Sequence, residues 1–160
     1  MIGVISDTHD NVPNLIKAIK IFENAEVDFI IHCGDLVAPA TAKYFNGIHT
    51  KMVKGNCDGD VEHIKQAFSS IGGEYVGEIG KFEIDGKKII AYHGDDEQKL
   101  QGLIDEQKYD YVLTGHTHKT RDEKVGKTRV INPGAHYFGA ENKVVLLDVQ
   151  EDIAEFVKVG

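Results

Sequence analysis

The chain has 160 residues, 41% of them hydrophobic and 28% charged, with 17 glycines, 3 prolines and a formal net charge of -8. That length suits one domain, residues 1–160, able to bury roughly 70% of its unfolded surface, and the composition excludes a fibrous or disordered chain. The negative charge argues against a surface that tracks a long nucleic-acid backbone, because such binding is driven by Lys and Arg neutralising phosphates.

Met1 to Ile5 is an apolar run that stops at Ser6-Asp7 and reads as a buried strand. Asn11 is placed to cap the next helix and Pro13 fits its first turn, while Leu15, Ala18, Ile19 and Phe22 fall on one helical face. Val27 to Cys33 is the second strand, so a right-handed βαβ unit is predicted. A helix at Pro39 to Phe45, a strand at His49 to Lys54 and a helix at Val61 to Ile71 follow, closed by Gly72-Gly73. The rhythm then changes. Phe82 to Ile84 and Lys88 to Tyr92 flank Asp85-Gly86, the signature of a type I′ hairpin. A helix near Glu97 to Gln107, a strand at Tyr111 to Thr114, a hairpin over Lys124 to Val130 and two strands at Val144 to Val149 and Ile153 to Val157 complete the chain. The predicted fold class is α/β, two sheets packed face to face with helices outside.

The two cysteines, Cys33 and Cys57, make no disulfide framework. No apolar stretch approaches the roughly 20 residues that cross a bilayer, and the first 25 residues lack a basic start before an apolar core. A cytoplasmic protein with no membrane partner is expected.

Five of the apolar runs end in side chains that bind metals: Asp7-Thr8-His9, Gly34-Asp35, Gly55-Asn56-Cys57-Asp58, His93-Gly94 and Gly115-His116-Thr117-His118. In open α/β sheets, ligands bind outside the carboxyl ends of strands, so five such ends predict one shared site. Singly, each motif has a plainer reading: Asp7 and His9 as solvent-exposed residues, Asp35 as a turn or helix cap. Recurrence of strand, glycine and polar residue weakens that reading. Asp7 and His9 can hold one cation together, and the Asp35 carboxylate has two oxygens with which to bridge two. The His116/His118 pair can bind one metal through both rings or two neighbouring metals through one each. Imidazole, carboxylate and amide donors suit manganese, iron, cobalt, nickel or zinc better than calcium, and so many nitrogen donors disfavour magnesium.

This ordered series, with Asn132-Pro133-Gly134 downstream, resembles the calcineurin-like metallophosphoesterase family, and its short length and GNCD and GHTH strings resemble the small bacterial and archaeal phosphodiesterase branch. The resemblance implies a two-sheet mixed β-sandwich flanked by helices. It implies two divalent transition metals per chain, manganese foremost, one held by Asp7, His9, Asp35 and His118 and the other by Asp35, Asn56, His93 and His116. Asp35 would bridge them, and Asp58 would lie behind, accepting a hydrogen bond that orients a ligand or water. Asp35, Asn56, Asp58 and His93 are the residues expected to serve catalysis. Two metals about 3.5–4 Å apart bind phosphate oxygens and lower the pKa of a bridging water, so the nucleophile would be hydroxide.

Departures from the family shape the expected substrate. Where phosphoprotein phosphatases carry a histidine after the Gly-Asn pair, this chain has Cys57, a different acid and a poorer hydrogen-bond partner. Its only arginines, Arg121 and Arg129, lie outside the ligand motifs, so the bidentate clamp of a monoester dianion is missing. A small phosphodiester is therefore the expected partner. The competing readings are a broad-specificity phosphomonoesterase and a non-catalytic scaffold resembling a retromer subunit that has this fold without key ligands. All seven ligand positions are intact here, which favours the enzyme. A homodimer or homotetramer both stay open.

Asp95 follows His93-Gly94 and is expected to cap the next helix. His32, His49 and His63 are expected to be packed or surface histidines, and His136 sits in a loop within reach of the site. Lys119 to Arg129 reads as a solvated hairpin.

Overall fold

Apolar alternation sorts the strands of this chain onto two sheets in the computed structural model, which describes residues 1–137 and 139–160. In chain order the first elements are β1 (Ile2–Ile5), α1 (Val12–Asn24), β2 (Phe29–His32), a 3₁₀ helix (Pro39–Phe45), β3 (Thr50–Val53), α2 (Val61–Ser70) and β4 (Glu74–Gly77). There follow β5 (Ile79–Ile84), β6 (Lys87–Tyr92), α3 (Glu97–Asp105), β7 (Tyr111–Leu113), β8 (Arg121–Val125), β9 (Thr128–Asn132), β10 (Lys143–Asp148) and β11 (Ile153–Lys158). One sheet has the order β11-β10-β1-β2-β3-β4 and the other β5-β6-β7-β9-β8. The expected two-sheet α/β architecture is the observed one.

Successive side chains of a strand face opposite ways, and each strand here uses both faces. Ile2, Val4, Ile31 and Cys33 point between the sheets, where they meet Ile89, Ala91, Leu113 and Ile131. Ile5 and Ile30 point outwards onto Leu15, Ala18 and Phe22 of α1 and Ile64 and Phe68 of α2. On the far side Ile90, Val112 and Val130 pack on Ile104 of α3. The order of layers is helix, sheet, sheet, helix.

The strands that matter for the site run parallel and lie next to one another. β1, β2 and β3 are parallel neighbours in one sheet and β6, β7 and β9 in the other, so five strands that carry ligand motifs end on the same side. Pairing continues into the loops. The Asp7 amide donates to the Gly34 carbonyl at 2.9 Å, and that of Gly115 donates to the His93 carbonyl at 2.9 Å.

The structure departs from the predicted elements where local pattern is weak. The segment Pro39–Phe45 is helical over the expected residues, in 3₁₀ form. β4 has no apolar alternation to announce it; its half-exposed residues become a strand by parallel pairing with β3 at the sheet edge. β5 starts at Ile79, three residues before the predicted strand, and the second sheet is parallel at its centre, with antiparallel pairing at β5–β6 and β8–β9. Asp85 and Gly86 both have positive φ, 51° and 76°, as a type I′ turn requires. Asp96, not Asp95, caps α3, its side chain accepting from the Lys99 amide at 3.0 Å, because it is the residue immediately before Glu97, the first of the helix.

Two histidines outside the ligand motifs are wholly buried. His32 accepts the Gly34 N–H on Nδ1 at 3.1 Å, which leaves Nε2 to donate to the Thr8 hydroxyl at 3.0 Å. His136 lies behind β1, with its amide donating to the Asp7 carbonyl at 3.0 Å and its own carbonyl accepting from Asn11, while neither ring nitrogen meets a partner. Burial lowers His32 to about 3 and, offset in part by the Asp7 charge, His136 to about 4. Folded, both rings stay neutral as pH falls through 6.5; unfolded, both take up protons there, so the unfolded state binds more protons and stability falls on acidification. Each ring adds a slope of about 1.4 kcal/mol per pH unit between about pH 6 and 4.5. Urea unfolding of the metal-free protein across that range should give a shallower slope, by about this amount, for His136→Leu. Equal slopes would show that the ring is not held neutral.

Candidate metal centre

Positions that follow an apolar strand are brought to one point by unusual backbone. Asp7, His9, Asp35, His116 and His118 all have positive φ, between 44° and 66°. For residues other than glycine this region is sparsely populated, and such strain persists only where surrounding contacts determine the conformation. Gly34, at φ 100°, allows the turn into Asp35; a Cβ there would sit 2.7 Å from the Gly55 amide nitrogen and 2.7 Å from His93 Nδ1. At Gly115 a Cβ would collide with the Ser6 hydroxyl and the Asp7 carboxylate, so only glycine lets the histidine loop approach β1 so closely.

Asp58 holds two of these loops together. Its Oδ2 accepts the amides of Asp35 (2.8 Å) and Gly55 (2.7 Å), and its Oδ1 accepts that of Val37 (2.8 Å). Val37 is β-branched yet has φ 87°, a conformation that this contact helps to fix. Asp58 therefore accepts from the backbone of a ligand residue, Asp35, and of the loops behind it. Ser6, Asp10 and Asn132 act similarly. The Ser6 hydroxyl donates to Asp7 Oδ2, and Asp10 accepts from Ala38 and Thr41. Asn132 donates to the Gly115 carbonyl and the Thr117 hydroxyl. Sequence reading passed over Ser6 and Asp10, although both flank the Asp7-Thr8-His9 motif.

The seven side chains read from sequence fall into two groups that meet at Asp35. In the first, donor atoms of Asp7, His9, Asp35 and His118 lie within 4.8 Å of one another. His118 Nε2 is 3.1 Å and His9 Nε2 3.7 Å from Asp7 Oδ1, and the two Nε2 atoms are 3.3 Å apart. In the second, Asn56 Oδ1 lies 3.0 Å from His93 Nε2 and 3.1 Å from His116 Nδ1. Asp35 Oδ2 touches both groups, 3.6 Å from His9 Nε2 and 3.3 Å from His93 Nε2. The paired rings match: His9 with His118, and His93 with His116, each have centroids 5.2 Å apart at 75°. His136, although within the neighbouring loop, is not part of either group.

Proton bookkeeping shows what this cluster accommodates. His93 Nδ1 donates to the Cys33 carbonyl at 2.7 Å, so the neutral ring presents a lone pair at Nε2. That lone pair faces two acceptor oxygens, Asn56 Oδ1 and Asp35 Oδ2. Asp7 Oδ1 is buried with no hydrogen-bond partner, a loss of roughly 1–3 kcal/mol for such a group. Converging lone pairs and an orphaned carboxylate oxygen repel unless a cation lies among them. Carboxylate, imidazole and amide are the donor set of first-row transition metals, so the residues fit a divalent metal of that class.

The same preference for positive charge shows in the titrating groups. The Asp7 carboxylate beside it raises His9. Burial pulls His93 down, but the Asp35 hydrogen bond and the Asp7 and Asp35 charges prevail and raise it. Burial pushes Asp7 and Asp35 up, and the surrounding histidines, with the Cys57 amide for Asp35, outweigh it and leave both low. Cys57 is exposed at the rim, its thiol pushed up first by burial and then by the Asp35 charge. Asn56 Nδ2 donates to Cys57 Sγ at 3.6 Å, which turns Oδ1 towards the two histidines. The arginines are engaged elsewhere, Arg121 with Glu123 and Arg129 with Asp122 and Asp152.

The sequence profile of the calcineurin-like phosphoesterase superfamily domain matches residues 1–152. The chain belongs to this superfamily. Among the calcineurin-like phosphoesterases, a phosphodiesterase from Methanocaldococcus jannaschii is 38% identical over 136 residues, 83% of this chain and 82% of the relative. The solved structure of an archaeal phosphodiesterase superposes with a TM-score of 0.92 at 33% identity, covering 98% of both chains. Vps29 from Entamoeba histolytica, solved with zinc, has a TM-score of 0.69 at 18% identity over 99% of both chains, a likeness of fold alone.

Asp58→Asn tests the loop contact. The amide keeps the size but replaces one acceptor with a donor facing N–H groups, so the fold should lose about 1–3 kcal/mol and manganese affinity should fall roughly 10–100-fold. Thermal melts and calorimetric metal titration read the two effects. Unchanged metal affinity would show that Asp58 does not position Asp35.

Proposed function

We propose that this calcineurin-like phosphoesterase is a phosphodiesterase that hydrolyses small diesters with two divalent transition metals, one held by Asp7, His9, Asp35 and His118 and one by Asp35, Asn56, His93 and His116. The observation that carries the reading is Asp35 Oδ2, a single carboxylate oxygen close to both His9 and His93. When bound, such metals supply the Lewis acidity that generates a nucleophile from water at neutral pH and offsets charge on the phosphoryl oxygens. The names of the archaeal relatives support the diester assignment. Manganese or nickel suits the mixed nitrogen and oxygen donors. A cytoplasmic setting belongs to the same proposal, and no helix among the described residues is long and apolar enough to cross a membrane.

The chain's own residues act by position and charge. Asp7, Asp35 and the four histidines stay fixed because their loops are tied to one another, and that fixity saves reorganisation during reaction. Thr117, Asn56 and Cys57 form an exposed rim through which a substrate enters. No arginine reaches that rim, so a dianionic monoester finds no bidentate partner, whereas a diester, with one negative charge, depends less on one. The protonated Cys57 thiol replaces an imidazole as the side chain beside the leaving group. A scaffold without catalysis would be more stable with apolar residues in place of the buried Asp7 and Asp35.

Dialysis against a chelator should abolish hydrolysis of bis(4-nitrophenyl) phosphate, and manganese or nickel should restore it, with the diester turned over faster than 4-nitrophenyl phosphate. Asp35→Asn should lower both metal content and turnover by at least about 100-fold. A faster monoester reaction would refute the argument from the arginines. Cys57→His introduces a better proton donor, and kcat for an alkyl leaving group should rise about 10–100-fold relative to nitrophenolate. Equal effects on both leaving groups would exclude a role for this position in protonating them.

A further inference from the structure

A cleft of about 470 Å³ opens beside His118, between Thr117–Thr120 on one wall and Tyr137 and Gly139–Glu141 on the other. This is within the range of small-molecule sites, about 300–1,000 Å³. His118 belongs both to the cleft and to the proposed metal ligands, so a molecule with its phosphate at the ligands extends directly into this space. A smaller aromatic cleft elsewhere, of about 300 Å³, does not compete. Lined by Phe82 and Tyr109, it lies at the hairpin end of β6, opposite the end that carries His93.

Tyr137 gives the cleft its chemical character. It is 40% exposed, one of few large apolar side chains left to solvent among the described residues, and its ring packs against that of His118 with centroids 5.0 Å apart at 58°. Both walls are anchored. His136, immediately before Tyr137, is tied through its backbone to Asp7 and Asn11, while the Thr117 hydroxyl opposite accepts from Asn132 and from the Lys119 amide. An aromatic face is thus held at a fixed place next to a phosphate site, with Lys119 adding a cation to the facing wall. Among the described residues no apolar cage surrounds it, so an alkyl chain gains little there. A flat ring gains a stacking surface.

We infer that this cleft binds the base of a nucleotidyl ester, with Tyr137 as the stacking residue that determines specificity. The inference rests on the phosphodiesterase reading for the position of the phosphate. One ester group of the substrate carries a nucleobase or comparable flat aromatic ring against Tyr137, and the phosphorus lies at the Asp7/Asp35 cluster. Tyr137 sets affinity for that ring and takes no part in bond breaking.

Calorimetric titration of the manganese-loaded protein with adenosine 5′-monophosphate and with ribose 5-phosphate isolates the base, because both carry the same sugar phosphate. The nucleotide should bind about fivefold tighter or more. Tyr137→Ala should bring the ratio to within about twofold, and Tyr137→Phe should keep it. A wild-type protein that binds both equally, or neither, overturns the inference, as does a Tyr137→Ala protein with the ratio unchanged. Assaying bis(4-nitrophenyl) phosphate on the same samples keeps the two readings apart. Base preference without diester hydrolysis sinks the phosphodiesterase reading alone, and hydrolysis without base preference sinks the base subsite alone.

Discussion

Everything at the site follows from placing two carboxylates, Asp7 and Asp35, inside the protein at the ends of neighbouring parallel strands. Both are almost inaccessible to water, and Asp7 Oδ1 has no hydrogen-bond partner at all. Burying a charge is costly unless an opposite charge accompanies it, and among the described residues the groups available are four imidazoles that are ordinarily near neutral. The protein answers part of this demand with N–H and O–H donors: Ser6 and the His116 amide to Asp7, the Cys57 amide to Asp35. What remains is a deficit of positive charge at the centre of the cluster. That deficit, not any single motif, is the physical basis for assigning the site to cations.

The architecture makes such an arrangement possible by drawing on two sheets. Strands of one sheet are about 4.7–4.9 Å apart, so ligands from β1, β2 and β3 alone would form a row. Packing a second parallel trio, β6, β7 and β9, face to face across the apolar core brings His93, His116 and His118 opposite that row. The bond from His93 to the Cys33 carbonyl and that from the His116 amide to Asp7 cross between the sheets at this point. A row therefore becomes an enclosure open on one side. Strain at five ligand positions is tolerable because these cross-links, with Asp58 and Asn132 behind them, leave the loops no relaxed alternative.

The sequence made the ligands legible because each follows an apolar run and usually a glycine, a pattern that survives without knowledge of pairing. Residues that hold the ligands were harder to see. Ser6 and Asp10 are common residue types with ordinary surface roles, and what distinguishes them is a partner remote in sequence, as Asp10 has in Thr41. Backbone with positive φ at His9, His116 and His118 leaves no trace in composition, since histidine is not selected for it as glycine is. In the fold, β4 and the start of β5 escaped notice because strands at sheet edges are half exposed and owe their conformation to a neighbour. The helix cap shifted from Asp95 to Asp96 for a related reason. Two adjacent aspartates are equivalent to a local pattern, and the start of α3 at Glu97 decides between them.

On the proposed diesterase reading, the rim of the site is what separates this chain from phosphatases that act on dianions. Binding a monoester requires compensation of two negative charges, and here both arginines are committed to carboxylates on β8 and the β10–β11 turn. In a chain of net charge -8, cations at the Asp7/Asp35 cluster would be the main positive charge facing a substrate. One negative charge matches that supply better than two. Cys57 reinforces the choice from the other side: a thiol kept protonated is a weaker hydrogen-bond partner than imidazolium for the departing oxygen, which favours leaving groups that depart without much help. It also orients Asn56, whose amide turns its oxygen inwards as its nitrogen faces sulfur. The residue that replaces a histidine thus combines two effects, one on a ligand and one on the leaving group, and both are consistent with a diester whose binding depends more on its organic part than on its charge.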